Sequence, residues 1–307
     1  MKLCVIGGAG ARSAFLTKSL VKSTRDIRVD HIVLLDNDQQ KLKTYGEISR
    51  ELSRRLDPDL TFEVTSDARA ALTGVDYIIT TIRAGGDAGR LFDEQTCLAH
   101  GVLGQETTGA GGFAMAIRSV PTLVYYCTLA REVANPGHLI FNFTNPSGII
   151  TQALRSKGFD NVYGICDAPS GFIKQLEEIL EIPYGTLDIE CYGLNHLSWF
   201  RNAKVNGRDV QRELLDNPRT YEHSEMRLFT REMARISGDC MLNEYLYFYY
   251  RRVKSLSMIQ KADHPRGEMI YLINRELEEQ LARLELPRDF EQAVSYTHLT
   301  LPTSDLV

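Results

Sequence analysis

Cys166 and Asp167, in the run Cys166-Asp167-Ala168-Pro169, put a thiol beside a carboxylic acid, and His196 lies further along the chain. A thiolate and an imidazole can hold one divalent ion between them. Such an ion, with open coordination positions, polarises oxygens as a Lewis acid. Taken alone, these ligand types favour zinc. A lone cysteine and a lone histidine also occur as core filling or as a hydrogen-bonded pair, so the spacing leaves both readings standing.

A second chemical feature lies near the amino end. A short apolar run ends in Gly7-Gly8-Ala9-Gly10-Ala11-Arg12-Ser13, after which helical spacing resumes with Phe15, Leu16 and Leu20. Glycines at such a turn let the backbone approach a pyrophosphate, whose charge then meets the amino end of the helix. Read as GxGxxG, the series Gly8, Gly10, Ser13 lacks its third glycine, and the loop also fits a plain strand-to-helix turn. The next strand-like run ends in Leu34-Leu35-Asp36, where an acid would grip the adenosine ribose hydroxyls and favour NAD over NADP. Asp36 equally fits a helix cap before Gln39, a role that Asp38 could also fill. Together the two features point to an ion working beside a hydride acceptor.

Holding these groups in register needs a parallel sheet. Strand-like runs are read at Leu3–Ile6, His31–Leu35, Thr61–Thr65, Tyr77–Thr81, Leu139–Phe143 and Val162–Ile165, alternating with helical periods. Between Gly112 and Glu132, the spacing of Phe113, Ala116, Ile117, Val120, Leu123 and Val124 predicts one buried helix face. Arg83, Arg90, the Gly104–Gly109 turn and Asn142-Phe143-Thr144-Asn145-Pro146 follow strands or interrupt helices, where ligands of open α/β sheets bind. Arg83 thus joins Gly7, Gly8, Gly10, Ser13 and Asp36 as a candidate cofactor contact. Arg90 either clamps an anion with its planar fork or is a solvated surface arginine. Asn145 either holds a hydroxyl or simply starts the turn before Pro146.

After Pro169 the pattern changes to a helix, strand-like runs near Leu187–Tyr192 and Trp199–Val205, and further helices. The expected fold class is α/β: a Rossmann-type doubly wound parallel sheet followed by a mixed α+β substrate domain. The expected division is residues 1–168 for NAD binding and 169–294 for a partial substrate and metal domain. Residues 295–307 continue neither period and read as a non-native tail.

The chain has 307 residues, 43% hydrophobic and 24% charged, which suits two globular domains with real cores. A net charge of −5 gives no electrostatic basis for binding nucleic acid or an anionic membrane. No stretch is read as a membrane span or signal peptide, so the expectation is a cytoplasmic protein. Six cysteines without CxxC spacing suit reduced thiols.

Six motifs in order, IGGAGARS, RLFDEQ, GQETTGAGGF, NFTNPSG, GICDAP and GLNHLSW, resemble the NAD- and manganese-dependent glycosidases of glycoside hydrolase family four, especially its 6-phospho-β-glucosidases. The resemblance runs over roughly residues 1–290. It implies metal ligands at Cys166 and His196, manganese as the ion, and an acid at Asp167. It also implies substrate contacts at Arg90, Glu106, Asn145 and Asn195, and a phosphate-binding arginine near Arg266. The family's catalytic tyrosine maps to Tyr245, in Asn243-Glu244-Tyr245-Leu246 where relatives show Asn-Pro-Tyr-Leu, with Tyr247 as the fallback. On residues alone, Tyr245, Phe248 and Tyr249 also fit a plain aromatic helix face.

The family's chemistry, by the same resemblance, is redox-assisted elimination. NAD takes hydride from carbon 3 of the sugar and the metal stabilises the enediolate formed when Tyr245 removes the carbon 2 proton. Asp167 protonates the departing aglycone, water adds, and hydride returns. The substrate implied is a small phosphorylated disaccharide or glycoside, and the full-length family suggests homo-oligomers. GLNHLSW leans towards the β-acting members, whereas Asp167 is familiar from α-acting ones, so a 6-phospho-α-glucosidase or α-galactosidase is the alternative. The remaining rivals are a malate- or lactate-type dehydrogenase and an inactive NAD-binding fragment, because relatives are longer and this chain loses their carboxyl-terminal portion near Ala293.

Overall fold

A computed structural model of the chain describes residues 1–286 and 288–298. Six parallel strands, β1 (Lys2–Ile6), β2 (His31–Leu35), β3 (Thr61–Thr65), β4 (Tyr77–Thr80), β5 (Leu139–Asn142) and β6 (Val162–Gly164), form one sheet in the order β3-β2-β1-β4-β5-β6. The order reverses between β1 and β4, which opens a crevice at their carboxyl ends. Continuous apolar runs suit strands covered on both faces, and β1 serves both. Leu3 and Val5 pack with Val21 of the helix Ser13–Ile27 on one face. Cys4 and Ile6 pack with Leu123 and Cys127 of the helix Gly109–Val133 on the other.

The helix Gly109–Val133 departs from the expected single buried face. Ala116 and Leu123 are buried, whereas Phe113 and Ile117 are 63% and 57% exposed. At about 100° per residue the apolar positions spread over a wide arc, and only the Ala116–Leu123 side reaches the sheet. This helix is also long and apolar enough to cross a membrane by length and composition, contrary to the sequence expectation. Within the fold it is a core helix, with Arg118 paired to Asp93 and Arg131 donating to the Gly158 carbonyl.

The second lobe is built on a long antiparallel pair, β7 (Leu187–Leu194) and β8 (Leu197–Val205). It is extended by β9 (Arg208–Asp209) and β10 (Met241–Leu242), both paired to β8. Phe172, from the helix Ala168–Leu180, meets Phe200 edge-on at 4.9 Å between ring centroids, at the centre of the core beneath this sheet. Truncating either buried ring to alanine would cost roughly 3–5 kcal/mol.

The last helices do not stay with that lobe. Leu277 and Leu281 of the helix Arg266–Leu281, with Phe290 and Ala293 of the helix Phe290–His298, pack against Ala14, Tyr45, Ile48 and Leu52 of the parallel-sheet lobe. The final helix runs four residues into the stretch read as a non-native tail; residues 299–307 of that stretch lie outside the described residues.

Candidate active site

Five of the six parallel strands, all but β3, lead at their carboxyl ends into one of the singled-out segments. β1 runs into the glycine turn, where Gly7 adopts φ +83 and a Cβ would meet the Ile82 nitrogen at 2.8 Å. A side chain at Gly8 would meet Leu34 at 2.9 Å, whereas one at Gly10 would meet nothing within 4 Å. Gly7 and Gly8 therefore serve close packing, and Gly10 leaves open space over the turn. Ser13 stands where the motif's third glycine would be. Its hydroxyl donates to the Gly8 carbonyl at 2.6 Å and accepts from the Gly10 nitrogen at 2.7 Å, bracing the turn from inside.

Asp36 and Asp38 make different contacts, and the cap that the sequence left open between them falls to Asp38. Asp38 caps the next helix, accepting from the nitrogens of Gln40 and Lys41 at 3.0 Å each. Asp36 accepts from the nitrogen of Ala9 in the glycine turn and from that of Asp38. Burial raises its carboxyl above the usual range, and those two donors pull against the rise.

Arg83 and Arg90 lie in one carboxylate network. Arg90, 3% exposed, pairs with Glu94 at 2.7 Å and Glu106 at 2.8 Å. Arg83 pairs with Glu106 at 3.0 Å and with Asp87, which also accepts from Asn274 at 2.6 Å. Arg90 is thus neither the solvated arginine of one sequence reading nor an open clamp. Glu94 additionally accepts from the nitrogen of Gly267 at 2.7 Å, tying the neighbour of Arg266 to this network. Arg266 begins its helix and is half-buried. Burial raises the Glu94 carboxyl, opposed by Arg90.

Asn145 follows β5, half-buried, in a turn pinned by the Asn142 side chain. Asn142 accepts from the Thr80 hydroxyl at 2.8 Å and donates to the Thr151 hydroxyl at 3.2 Å. Cys166 follows β6, and Asp167 stands exposed at the start of the helix Ala168–Leu180.

Asn195 and His196 form the two-residue turn between β7 and β8, with Asn195 exposed and His196 6% exposed. His196 holds φ +58, a left-handed conformation that is uncommon outside glycine and concentrates at functional sites. The turn brings His196 Nε2 to 3.5 Å from Cys166 Sγ, across the junction of the lobes. The other ring nitrogen lies 3.0 Å from the Thr107 hydroxyl. One divalent ion can touch both sulfur and nitrogen at that separation, since such bonds run about 2.3 and 2.1 Å. Among the described residues no third His, Cys, Asp or Glu joins the pair, so the other ligands would come from substrate or water.

Tyr245, the first choice for a catalytic tyrosine, stacks on His196 at 3.8 Å and 1°. Tyr247, the fallback, is buried in the second lobe's core, edge-on to Phe229. The sequence reading places the Gly104–Gly109 turn where ligands bind without singling out Thr107 or Gln105: a threonine and a glutamine in a turn carry no periodicity, and only the fold brings the Thr107 hydroxyl to His196. The site is a crevice edge. A groove of about 780 Å³ lies elsewhere on the second lobe, lined by residues such as Tyr249, Arg252 and Lys254.

The pattern described as Family 4 glycosyl hydrolase matches residues 2–182, and that of the family's C-terminal domain matches residues 191–300. The chain belongs to glycosyl hydrolase family 4. A 6-phospho-beta-glucosidase of Thermotoga maritima is 30% identical over 295 residues, covering 94% of this chain and 69% of that protein. The structure of the 6-phospho-beta-glucosidase from T. maritima with manganese, NAD+ and glucose-6-phosphate superposes with a TM-score of 0.83 at 29% identity, covering 97% of this chain and 71% of that one. A 6-phospho-alpha-glucosidase from gut microorganisms, in complex with NAD and Mn2+, gives 0.82 at 27% identity, covering 96% and 72%. The family membership stated by the six motifs is borne out, and a dehydrogenase reading gives way to it.

Proposed function

We propose that this family 4 chain is an NAD- and manganese-dependent glycosidase of 6-phosphoglucosides that favours the β anomer. The observation that carries the reading is the approach of Cys166 to His196, with Tyr245 stacked behind, on the same sheet edge as the glycine turn. The relatives' bound NAD, manganese and glucose-6-phosphate support the cofactors and the phosphorylated sugar. The leaning to β rests on GLNHLSW and on the T. maritima relative, while the α-acting relative keeps the α-glucoside as the alternative.

When bound, NAD supplies a reversible hydride acceptor and manganese a Lewis acid. The chain's own residues do the rest. The turn from Gly7 to Ser13 receives the pyrophosphate, with space over Gly10, and Asp36 accepts from the ribose hydroxyls. Cys166 and His196 would hold the ion. Three strand steps of about 4.8 Å, roughly 14 Å in all, separate β1 from β6.

Tyr245 removes the proton from carbon 2 of the sugar, and Asp167, exposed at the lobe junction, delivers a proton to the departing aglycone oxygen. Asn145 and Asn195 hydrogen-bond sugar hydroxyls, and Arg266 meets the phosphate. Arg90 and Glu106, locked in their ion pairs, form the wall behind the sugar.

A 6-phospho-β-glucoside deuterated at carbon 2 tests the reading. Turnover with NAD and manganese is expected to show a primary isotope effect or wash the label into solvent, with no net NADH. Complete retention of the label would exclude elimination. Cys166→Ser is expected to lose manganese-dependent turnover and keep NAD binding; full activity in that variant would remove the metal assignment.

A further inference from the structure

We propose that the Gln105-Glu106-Thr107 turn fixes His196 as the Nδ1–H tautomer, making Thr107 a positioning residue for the nitrogen that meets the metal. The inference rests on the metal reading above for its consequence, whereas the tautomer follows from the donors and acceptors around the ring.

The side-chain oxygen of Gln105 accepts from the backbone nitrogens of Thr107 at 2.6 Å and Thr108 at 2.8 Å. Only the carbonyl end of an amide can accept, so the orientation of Gln105 is settled by the backbone. The Thr107 hydroxyl lies 2.8 Å from that same oxygen, which also accepts from the Thr108 hydroxyl at 3.0 Å. Two oxygens that close repel unless a hydrogen stands between them, and the Gln105 oxygen has none to give. The single hydroxyl hydrogen of Thr107 therefore points to Gln105, and towards His196 the hydroxyl offers only lone pairs.

His196 Nδ1, 3.0 Å from that oxygen, must donate. In a neutral imidazole this leaves Nε2 unprotonated, and Nε2 is the nitrogen that faces Cys166 Sγ at 3.5 Å. Two further restraints hold the ring: the stack on Tyr245 sets its plane, and φ +58 sets the direction from which it leaves the backbone.

The following helix explains how the turn stays in place. A Cβ on Gly111 would meet the Gln105 carbonyl oxygen at 2.6 Å, and one on Gly112 would meet the Thr107 carbonyl carbon at 2.6 Å. The glycines of GAGGF let the first turn of this helix sit directly against the residues that orient His196. The positioning line thus runs from helix to Gln105, to Thr107, to His196, to the ion.

Two measurements test this. In the metal-free protein, ¹⁵N shifts of His196 are expected to report a protonated Nδ1 and an unprotonated Nε2. A protonated Nε2 would overturn the proposal without touching the metal assignment. In the second, free Mn²⁺ is titrated by electron paramagnetic resonance against the NAD-loaded protein. Thr107→Val, which keeps shape and loses the acceptor, is expected to weaken Mn²⁺ binding about 10- to 100-fold. Thr107→Ser is expected to stay within about threefold of the parent, since it restores the acceptor. Equal affinity in the parent and Thr107→Val, or an equal loss in both variants, overturns the role of the hydroxyl. A parent that binds no Mn²⁺ removes the metal reading, and the tautomer then decides the positioning claim by itself.

Discussion

The ring of Tyr245 lies flat on the imidazole of His196, 3.8 Å between centroids and 1° from parallel. The pair joins two separate segments of the second lobe, the β7–β8 turn and the loop after β10. The backbone nitrogen of Tyr245 donates to the Asn243 side chain, and Asn243 in turn donates to Glu225 at 2.9 Å. Tyr245→Phe keeps the ring and the stack and removes only the hydroxyl. Turnover is expected to fall by about 10²-fold or more, as for loss of a general base. Stability is expected to change by about 1.5 kcal/mol or less. Rates and denaturant midpoints check both, and near-parent turnover would remove Tyr245 from the chemistry.

Arg90 is held by Glu94 and Glu106, with its side chain only 2% exposed. Removing one partner of a buried ion network leaves uncompensated charge behind. Arg90→Met is therefore expected to cost about 3–5 kcal/mol of stability. An arginine that merely touched sugar would leave the unfolding curve of the substrate-free protein unchanged, which is the outcome that would contradict the network.

Ser13 braces the glycine turn with two short hydrogen bonds. Ser13→Ala leaves the Gly10 nitrogen and the Gly8 carbonyl without this partner and is expected to cost about 1–2 kcal/mol. NAD affinity is expected to fall with it, because the turn loses its preorganised shape. Calorimetric titration with NAD checks this, and unaltered binding would make the brace irrelevant to the cofactor.

Glu225 is buried, and that burial, with Glu244 close by, pushes its carboxyl from 4.5 to about 8. The unfolded chain gives up this proton near 4.5 while the folded protein keeps it until about 8. Between those values the unfolded state binds fewer protons, so stability falls as pH rises, and above about 8 the loss is constant. Glu225→Gln can accept from the same Asn243 and Glu244 donors and cannot ionise. Its advantage over the parent is expected to be absent below pH 4.5 and to grow up to about pH 8. Denaturant midpoints across this range check it, and parallel curves would refute it.

All six parallel strands were legible within a residue or so at each end, because their apolar runs and glycine punctuation are local signals. The convergence of Cys166 and His196 was legible through motif order. The parts that escaped depend on contacts between distant residues. Arg90 read as a possible open clamp because Glu94 and Glu106 meet it only after the turn folds back. Phe113 and Ile117 read as buried because helical spacing reports which side chains are apolar, not how much of the arc a sheet can cover. Thr107 lies 89 residues from His196 in sequence, and no local pattern marks a hydroxyl for that partner.

The return of the helices Arg266–Leu281 and Phe290–His298 to the nucleotide lobe means that the chain crosses between the lobes twice. One crossing lies just after β6, beside Cys166, and the other lies in residues 262–265. Any relative motion of the lobes would therefore run through the few residues of these two connections. It would also alter the 3.5 Å between Cys166 Sγ and His196 Nε2, which come from opposite banks of the crevice.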